Sequence, residues 1–182
     1  LKRKTNRKGK VKKKTFSYIR SLNAGKGEKI PTLEEVLDLI NKKISVNIEL
    51  KAKNTAKEVA ETIKLYKRKG WKIENFLVSS FDQAELIKFK ELMNEVPIGL
   101  IFSSEPMKNI KLASKIGMSS IHPDTKLVNK KFTEEAHKRG LKIFCWTLKK
   151  PKEIKKMAEL GVDGIFVNNP EFAFKVLENY KK

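Results

Sequence analysis

Apolar positions along this chain follow two alternating rhythms, and glycines mark the switches between them. From residue 57 to 69, Val59, Ala60, Ile63 and Tyr66 fall on one face of a predicted helix. Gly70 follows as a stop signal, and Phe76-Leu77-Val78 then reads as a buried strand. The same grammar recurs in 108–116, Gly117 and 119–122; in 133–139, Gly140 and 142–146; and in 151–160, Gly161 and 164–167. Pro151 suits the first turn of its helix, where a missing N–H leaves nothing unsatisfied. Upstream, Thr32 and Glu35 have the spacing of a capping box on a helix carrying Leu33, Val36, Leu37 and Ile40, and a strand over 44–50 follows. Asp82 and Glu85 read as a second such cap, for a helix running to about residue 94, with a strand over 98–102 after it.

Strands alternating with helices predict βα units and a parallel sheet, so the fold class is α/β. Six strand-like segments centre near 46, 77, 100, 120, 144 and 166, and the one near 120 is short and reads as irregular. Residues 1–31 carry turn signals at Asn6, Gly9, Gly25 and Gly27, and no helix is predicted there. An open doubly wound sheet and an incomplete barrel both fit this pattern.

Composition narrows the class. A chain of 182 residues with 40% hydrophobic content suggests one domain, 1–182, with 1–31 as a loop-rich basic lead-in. No apolar run approaches the roughly 18 residues of a membrane span. The start is basic, but no apolar signal-peptide core follows it. Cys145 is the only cysteine, so no internal disulfide forms, which fits a reducing compartment and an expected cytoplasmic location. Leu1 is not a translational start, and sequence upstream of it is expected.

The net charge is +20. Nine basic residues (Lys2, Arg3, Lys4, Arg7, Lys8, Lys10, Lys12, Lys13 and Lys14) and no acid lie in the first fourteen positions. Such an arm can bind nucleic acid or anionic lipid. A Lys/Glu-rich composition of the thermophilic kind accounts for it as well and is the preferred reading. Other basic residues, such as Lys64, Lys67, Lys88, Lys90, Lys155 and Lys156, sit beside acids on helix faces and read as solvated surface. Nucleic acid is therefore disfavoured as a partner.

Candidate chemistry gathers where the predicted strands end: Asn47-Ile48-Glu49-Leu50-Lys51, Ser79-Ser80-Phe81, Phe102-Ser103-Ser104, His122-Pro123-Asp124, Trp146-Thr147 and Asn168-Asn169. In parallel α/β folds these ends converge on one face, where active sites are built. Glu49 lies in an apolar stretch and shares its side of the strand with Lys51. A carboxylate there either binds a hard cation such as Mg²⁺ or Ca²⁺, with Lys51 meeting a phosphate, or simply pairs with Lys51. Both readings stay open. Trp146 either walls a pocket or packs in the core. His122 reads as exposed at its strand end, a surface residue before a catalytic one or a ligand. His137 is expected to face solvent, and Cys145 to be core.

These segments resemble, in order, the glycerophosphodiester phosphodiesterase family. Gly27-Glu28-Lys29-Ile30-Pro31-Thr32-Leu33-Glu34-Glu35-Val36-Leu37 is similar to the stretch before that family's central metal strand, and Asn47-Ile48-Glu49-Leu50-Lys51 to the strand itself. Val78-Ser79-Ser80-Phe81-Asp82 resembles its next strand end. Trp146-Thr147 resembles its late W-T strand, and Gly161-Val162-Asp163-Gly164-Ile165 with Asn168 and Pro170 its closing segment. Leu1 to Val11, with Thr5-Asn6-Arg7-Lys8-Gly9-Lys10-Val11, is similar to the family's loop after its third strand. The resemblance implies a (β/α)₈ barrel, incomplete here because three opening strands bearing both catalytic histidines and two metal carboxylates would precede Leu1. Six segments and three more would make nine strands, so the segment near 120 is discounted.

The implied activity is metal-dependent hydrolysis of glycerophosphodiesters to glycerol 3-phosphate and an alcohol, with a divalent cation, Mg²⁺ or Ca²⁺, as cofactor. Glu49 is the implied metal ligand. Lys51, Phe81 and Trp146 are the implied substrate contacts, with Ser80, His122 and Asn168 as weaker candidates. No catalytic residue is expected in this chain, and the 182 residues alone are expected to be inactive. Leu148 and Lys149 stand where the family often has Asn after W-T. The expected partner is a small-molecule glycerophosphodiester, and a homo-oligomer stays open. The alternatives are a non-catalytic scaffold derived from the same barrel, a basic nucleic-acid-binding module, and another phosphate-binding barrel; the last is disfavoured because Val167-Asn168-Asn169-Pro170 is not a glycine-rich phosphate loop.

Overall fold

The computed structural model describes residues 1–2 and 4–180. Arg3 of the basic arm therefore lies outside the described residues. The chain groups into two compact units, Leu1–Ile44 and Ser45–Lys182.

Within Leu1–Ile44, a 3-10 turn at Val11–Lys13 is followed by helix α1, Phe16–Arg20, which the sequence pattern did not predict. Five residues are too few for a 3.6-residue period to show. The start of α1 is fixed by one cap, Thr15 Oγ1 accepting from the Tyr18 amide. Helix α2, Leu33–Ile40, starts with the predicted capping box. The Glu35 amide donates to Thr32 Oγ1 at 3.2 Å, and the Thr32 amide to Glu35 Oε2 at 2.8 Å. The same carboxylate receives a two-pronged bond from Arg20 at 2.7 Å per arm, and Arg20 also donates to the Ile30 carbonyl. The Thr32 amide and the Arg20 guanidinium hold the Glu35 carboxyl below its ordinary value.

Ser45–Lys182 winds strand and helix in strict alternation: β1 Val46–Glu49, α3 Ala56–Arg68, β2 Phe76–Ser80, α4 Gln83–Leu92, β3 Ile98–Phe102, α5 Pro106–Ile116, β4 Ser120–Pro123, α6 Lys130–Lys138, β5 Lys142–Leu148, α7 Pro151–Glu159, β6 Gly164–Val167 and α8 Pro170–Glu178. The six strands are parallel and lie side by side in chain order. Gly117 closes α5 in the left-handed region, at φ 71°, as its place in the pattern predicts.

Order decides between the two folds left open by the pattern. Right-handed crossovers that always step the same way put every helix on one side of the sheet, whereas a doubly wound sheet must reverse its order. Burial agrees. Ile48, Val78, Leu100, Ile121, Ile143 and Cys145, all of one parity, are buried, as are Ala60 and Ile63, Leu86 and Phe89, Ile110 and Ala113, and Phe132 and Ala136 on the helices, and α4, α5 and α6 pack on β2 to β5. The other parity carries Asn47, Glu49, Ser79, Gly99, Ser120, His122 and Phe144.

The sheet curls around this second face. Phe81, just past β2, meets Trp146 of β5 edge to face with ring centroids 5.8 Å apart. In a flat sheet three strand spacings would separate them by about 14 Å. The architecture is a curled half-barrel of six parallel strands, in keeping with part of a (β/α)₈ barrel.

The segment near 120 needs correcting. It is no irregular stretch: β4 pairs with β3 from Gly99↔Ser120 to Phe102↔Pro123 and with β5 at Ser120↔Lys142 and Ile121↔Ile143. Ser120 and His122 occupy its polar face and Pro123 ends it, so it lacked the apolar run expected of a buried strand. Among the described residues, no helix is long and apolar enough to cross a membrane.

Gly99 lets this region close. A Cβ there would lie 2.4 Å from His122 Nε2 and 2.5 Å from Ser120 Oγ, both on the neighbouring strand. Gly99→Ala should therefore destabilise the protein by about 1–3 kcal/mol, as overpacking of a tight interior does. Urea denaturation checks it, and a midpoint equal to the parent's would mean that β4 yields freely.

Candidate active site

Glu49 is the last residue of β1, and Lys51 lies two residues beyond it on the same side. Their side chains meet, Lys51 Nζ to Glu49 Oε2 at 3.1 Å, with 74% of the lysine and 29% of the glutamate side chain exposed. So open a pair contributes between nothing and about 1 kcal/mol. It holds neither partner against a competing ligand.

Between them, Leu50 turns to the helix side and is buried. Its amide donates to the Ser79 carbonyl at 2.8 Å, and its carbonyl accepts from Ser80 Oγ at 2.7 Å. Ser80 Oγ also accepts from the Asp82 amide at 2.9 Å. Ser80 is thus fully buried, with its hydroxyl engaged by main chain, and it fixes the strand end that carries Lys51. The loop after Lys51 is held by a residue that sequence reasoning misassigned. Asp82 caps α4 as predicted, accepting from the Ala84 and Glu85 amides. Glu85 does not complete a capping box. Its carboxylate reaches the amides of residues 54–56 instead. Burial pushes that carboxyl up, but the three amides and the Lys88 ammonium outweigh burial and hold it below the ordinary value.

Phe81 and Trp146 form an aromatic pair across the mouth of the curl, and Phe81 stays 54% exposed. The Trp146 ring is anchored by its Nε1–H, which donates to the His122 carbonyl at 2.8 Å. A register shift between Cys145 and Leu148 falls at this place in β5, and such irregularities re-aim side chains.

His122 is not the exposed residue that its strand-end position suggested. It is completely buried on the polar face of β4, shares a 3.0 Å hydrogen bond between Nε2 and Ser120 Oγ, and packs against Phe144 and Phe166. The curl closes over it, which a strand-by-strand reading cannot foresee. Its Nδ1 and Ser79 Oγ are buried and, among the described residues, have no hydrogen-bond partner. Burial lowers its pKa from 6.5 to about 4, so it is neutral at physiological pH. His137 is exposed on α6 and bonded to Asp163 Oδ2 at 2.9 Å. Cys145 is buried and its thiol is pushed up to about 12 by that burial, an inert core residue. Asn168, exposed past β6, enters none of these contacts.

Mg²⁺ and Ca²⁺ take six to eight oxygen ligands. Among the described residues there is no group of three or more His, Cys, Asp or Glu side chains able to hold a metal ion. Glu49 can offer one carboxylate, and that is not by itself a cation site.

The model of the glycerophosphoryl diester phosphodiesterase family matches residues 1–172. The chain belongs to this family. Membership places it among the phosphoric diester hydrolases. It is 32% identical to a glycerophosphodiester phosphodiesterase of Caldanaerobacter subterraneus, over 93% of this chain and 73% of the relative. A glycerophosphodiester phosphodiesterase of Bacillus altitudinis is 30% identical over 100% of this chain and 79% of its own. Among solved structures, an Oleispira antarctica phosphodiesterase in complex with the product sn-glycerol-3-phosphate superposes with a TM-score of 0.86 at 22% identity, covering 98% of this chain and 76% of that one. At that identity the likeness speaks for the fold.

Two measurements test the hydrogen bonding and burial described for Ser79, Ser80 and His122. Ser80→Ala strips buried main-chain groups of a partner and should lower stability by about 1–3 kcal/mol, whereas Ser79→Ala removes a hydroxyl with no partner and should be neutral or stabilising. Equal losses in urea denaturation would contradict the assignment. The second concerns pH. The His122 pKa is depressed on folding, so between about 4 and 6.5 the unfolded chain binds more protons. Its contribution is complete above pH 6.5 and is lost as pH falls towards 4, by about 3 kcal/mol in all. Urea midpoints followed from neutral pH down to 4 should show this fall, and the fall should be shallower in His122→Gln.

Proposed function

We propose that this chain takes part in the hydrolysis of glycerophosphodiesters to sn-glycerol 3-phosphate and an alcohol, with Lys51 as the phosphate contact. The observation that carries this is the placement of Glu49 and Lys51: one acid and one base on one side of the β1 end, in a pair open enough to be exchanged for a ligand. An exposed ammonium on a fixed strand end meets a phosphodiester as a point charge and neutralises charge that develops on its oxygens. Phe81 and Trp146 wall the glycerol or alcohol group, the tryptophan held in place by the His122 carbonyl. Glu49 is one oxygen donor to a divalent cation, Mg²⁺ or Ca²⁺, which when bound polarises the phosphoryl group.

The six strands are read as six of the eight of a (β/α)₈ barrel. With the segment near 120 counted, closure calls for two further strands rather than the three that the family resemblance implied. The bound sn-glycerol-3-phosphate of the Oleispira antarctica phosphodiesterase supports the choice of product.

General acid–base catalysis needs a titratable group within reach of the substrate's proton. Neither histidine of this chain is so placed: His122 is sealed beneath Phe144 and Phe166, and His137 is tied to Asp163 on an outer helix. The 182 residues by themselves are therefore expected to bind product without turning substrate over. Incubated with glycerophosphocholine and Mg²⁺ or Ca²⁺, the polypeptide should release no sn-glycerol 3-phosphate above a chelator control, yet bind sn-glycerol 3-phosphate in calorimetry, with at least tenfold weaker binding in Lys51→Ala. Turnover at the rate of a full enzyme would refute the first statement, and unchanged binding in the variant the second.

A further inference from the structure

We propose that Glu85 is a positioning residue for Lys51, acting through the loop that joins the phosphate contact to α3; this rests on the reading of Lys51 given above. Glu85 sits on α4, is 1% exposed, and carries a carboxylate with no apolar justification for its burial. Its Oε1 accepts from the Asn54 amide at 2.9 Å, and its Oε2 from the Thr55 and Ala56 amides at 3.1 and 3.2 Å. Lys88 approaches Oε1 at 3.4 Å.

One half of this arrangement is a helix cap. Thr55 holds the cap position of α3, but its side chain makes no capping bond and turns back to the Ala52 carbonyl at 2.8 Å. Glu85 supplies the missing acceptor from a different helix, and a carboxylate at that end also meets the positive end of the α3 dipole.

The other half concerns what the cap holds. Only three residues separate Lys51 from Thr55, and one of them, Asn54, stands at a positive φ of 62°. On the near side of Lys51, Ser80 Oγ grips the Leu50 carbonyl; on the far side, Glu85 grips 54–56. The two clamps come from the last residue of β2 and the first turn of α4. The lysine main chain is thereby fixed at both ends while its side chain remains 74% exposed. Where a flexible four-carbon stem delivers its charge depends on where its Cα is held.

Plain helix capping and positioning of Lys51 make different predictions, and a double-mutant cycle separates them. In the 182-residue chain, sn-glycerol 3-phosphate affinity is measured for the parent, Glu85→Gln, Lys51→Ala and the double variant. Measurements are made at a temperature where circular dichroism shows each to be folded. Glutamine keeps the shape but accepts through one oxygen only. Glu85→Gln is expected to weaken binding about tenfold and to speed amide hydrogen exchange at 54–56. In the Lys51→Ala background it is expected to have no further effect on binding. Should Glu85→Gln fail to fold, Glu85→Asp, which keeps the charge with a shorter reach, is read on the same scale. Affinity unchanged in the Glu85 variant while Lys51→Ala loses it would overturn this proposal alone, as would an equal loss in both backgrounds. Affinity unchanged in Lys51→Ala would overturn the phosphate reading and this proposal together.

Discussion

Parallel strands laid down in chain order can give only one face of their sheet to helices. In Ser45–Lys182 that constraint assigns each strand residue by parity. Ile48, Val78, Leu100, Ile121 and Ile143 go to the helix side and form the core. Glu49, Ser79, Ser120 and His122 are left on the face around which the sheet curls. The polar face is thus the remainder after the core has been satisfied, and it is where chemistry can be placed without weakening the fold. Gly99 shows how tightly the remainder is packed, since even one methyl would collide with β4.

Sequence reading succeeded where information is local and periodic. The capping box at Thr32–Glu35, the helices ended by glycine and the shared side of Glu49 and Lys51 all follow from spacings of a few residues. It failed where partners lie far apart along the chain. Glu85 has the right spacing from Asp82 for a cap, but its carboxylate finds better donors about thirty residues upstream, in a loop whose own side chain cannot cap α3. His122 looks like an exposed strand-end residue until the curl buries it, whereas Ser80, of the same parity as Val78, is buried on the helix side. For β4, the apolar run was the wrong signal, because half its residues face the polar side and the strand is four residues long.

Some of the basic side chains meet acids at the surface. Lys64 meets Glu61, Lys67 meets Glu95, and Arg139 meets Glu135, all near the surface, where each pair adds only a few tenths of a kcal/mol. Lys90 does something more specific: its ammonium donates to the carbonyls of Ile116 and Gly117, at the C-terminal end of α5, where the helix dipole favours a cation. Lys64 is answered within its own helix, as its spacing beside an acid implied, whereas Lys67 and Lys90 find partners 28 and 26 residues away.

Rigidity and freedom are distributed unequally around Lys51. Its neighbours in the main chain are held by a serine hydroxyl on one side and a carboxylate on the other, both buried; its side chain is held by one weak, largely exposed ion pair. The reverse arrangement, a buried and tightly bonded lysine on a loose loop, would require a ligand to break a desolvated pair before binding, and such pairs are expensive to separate. With the main chain fixed in advance, a phosphate has only the lysine side chain left to order. The entropy of ordering it, on the order of 2 kcal/mol for a side chain of this kind, is then the main conformational term left to binding.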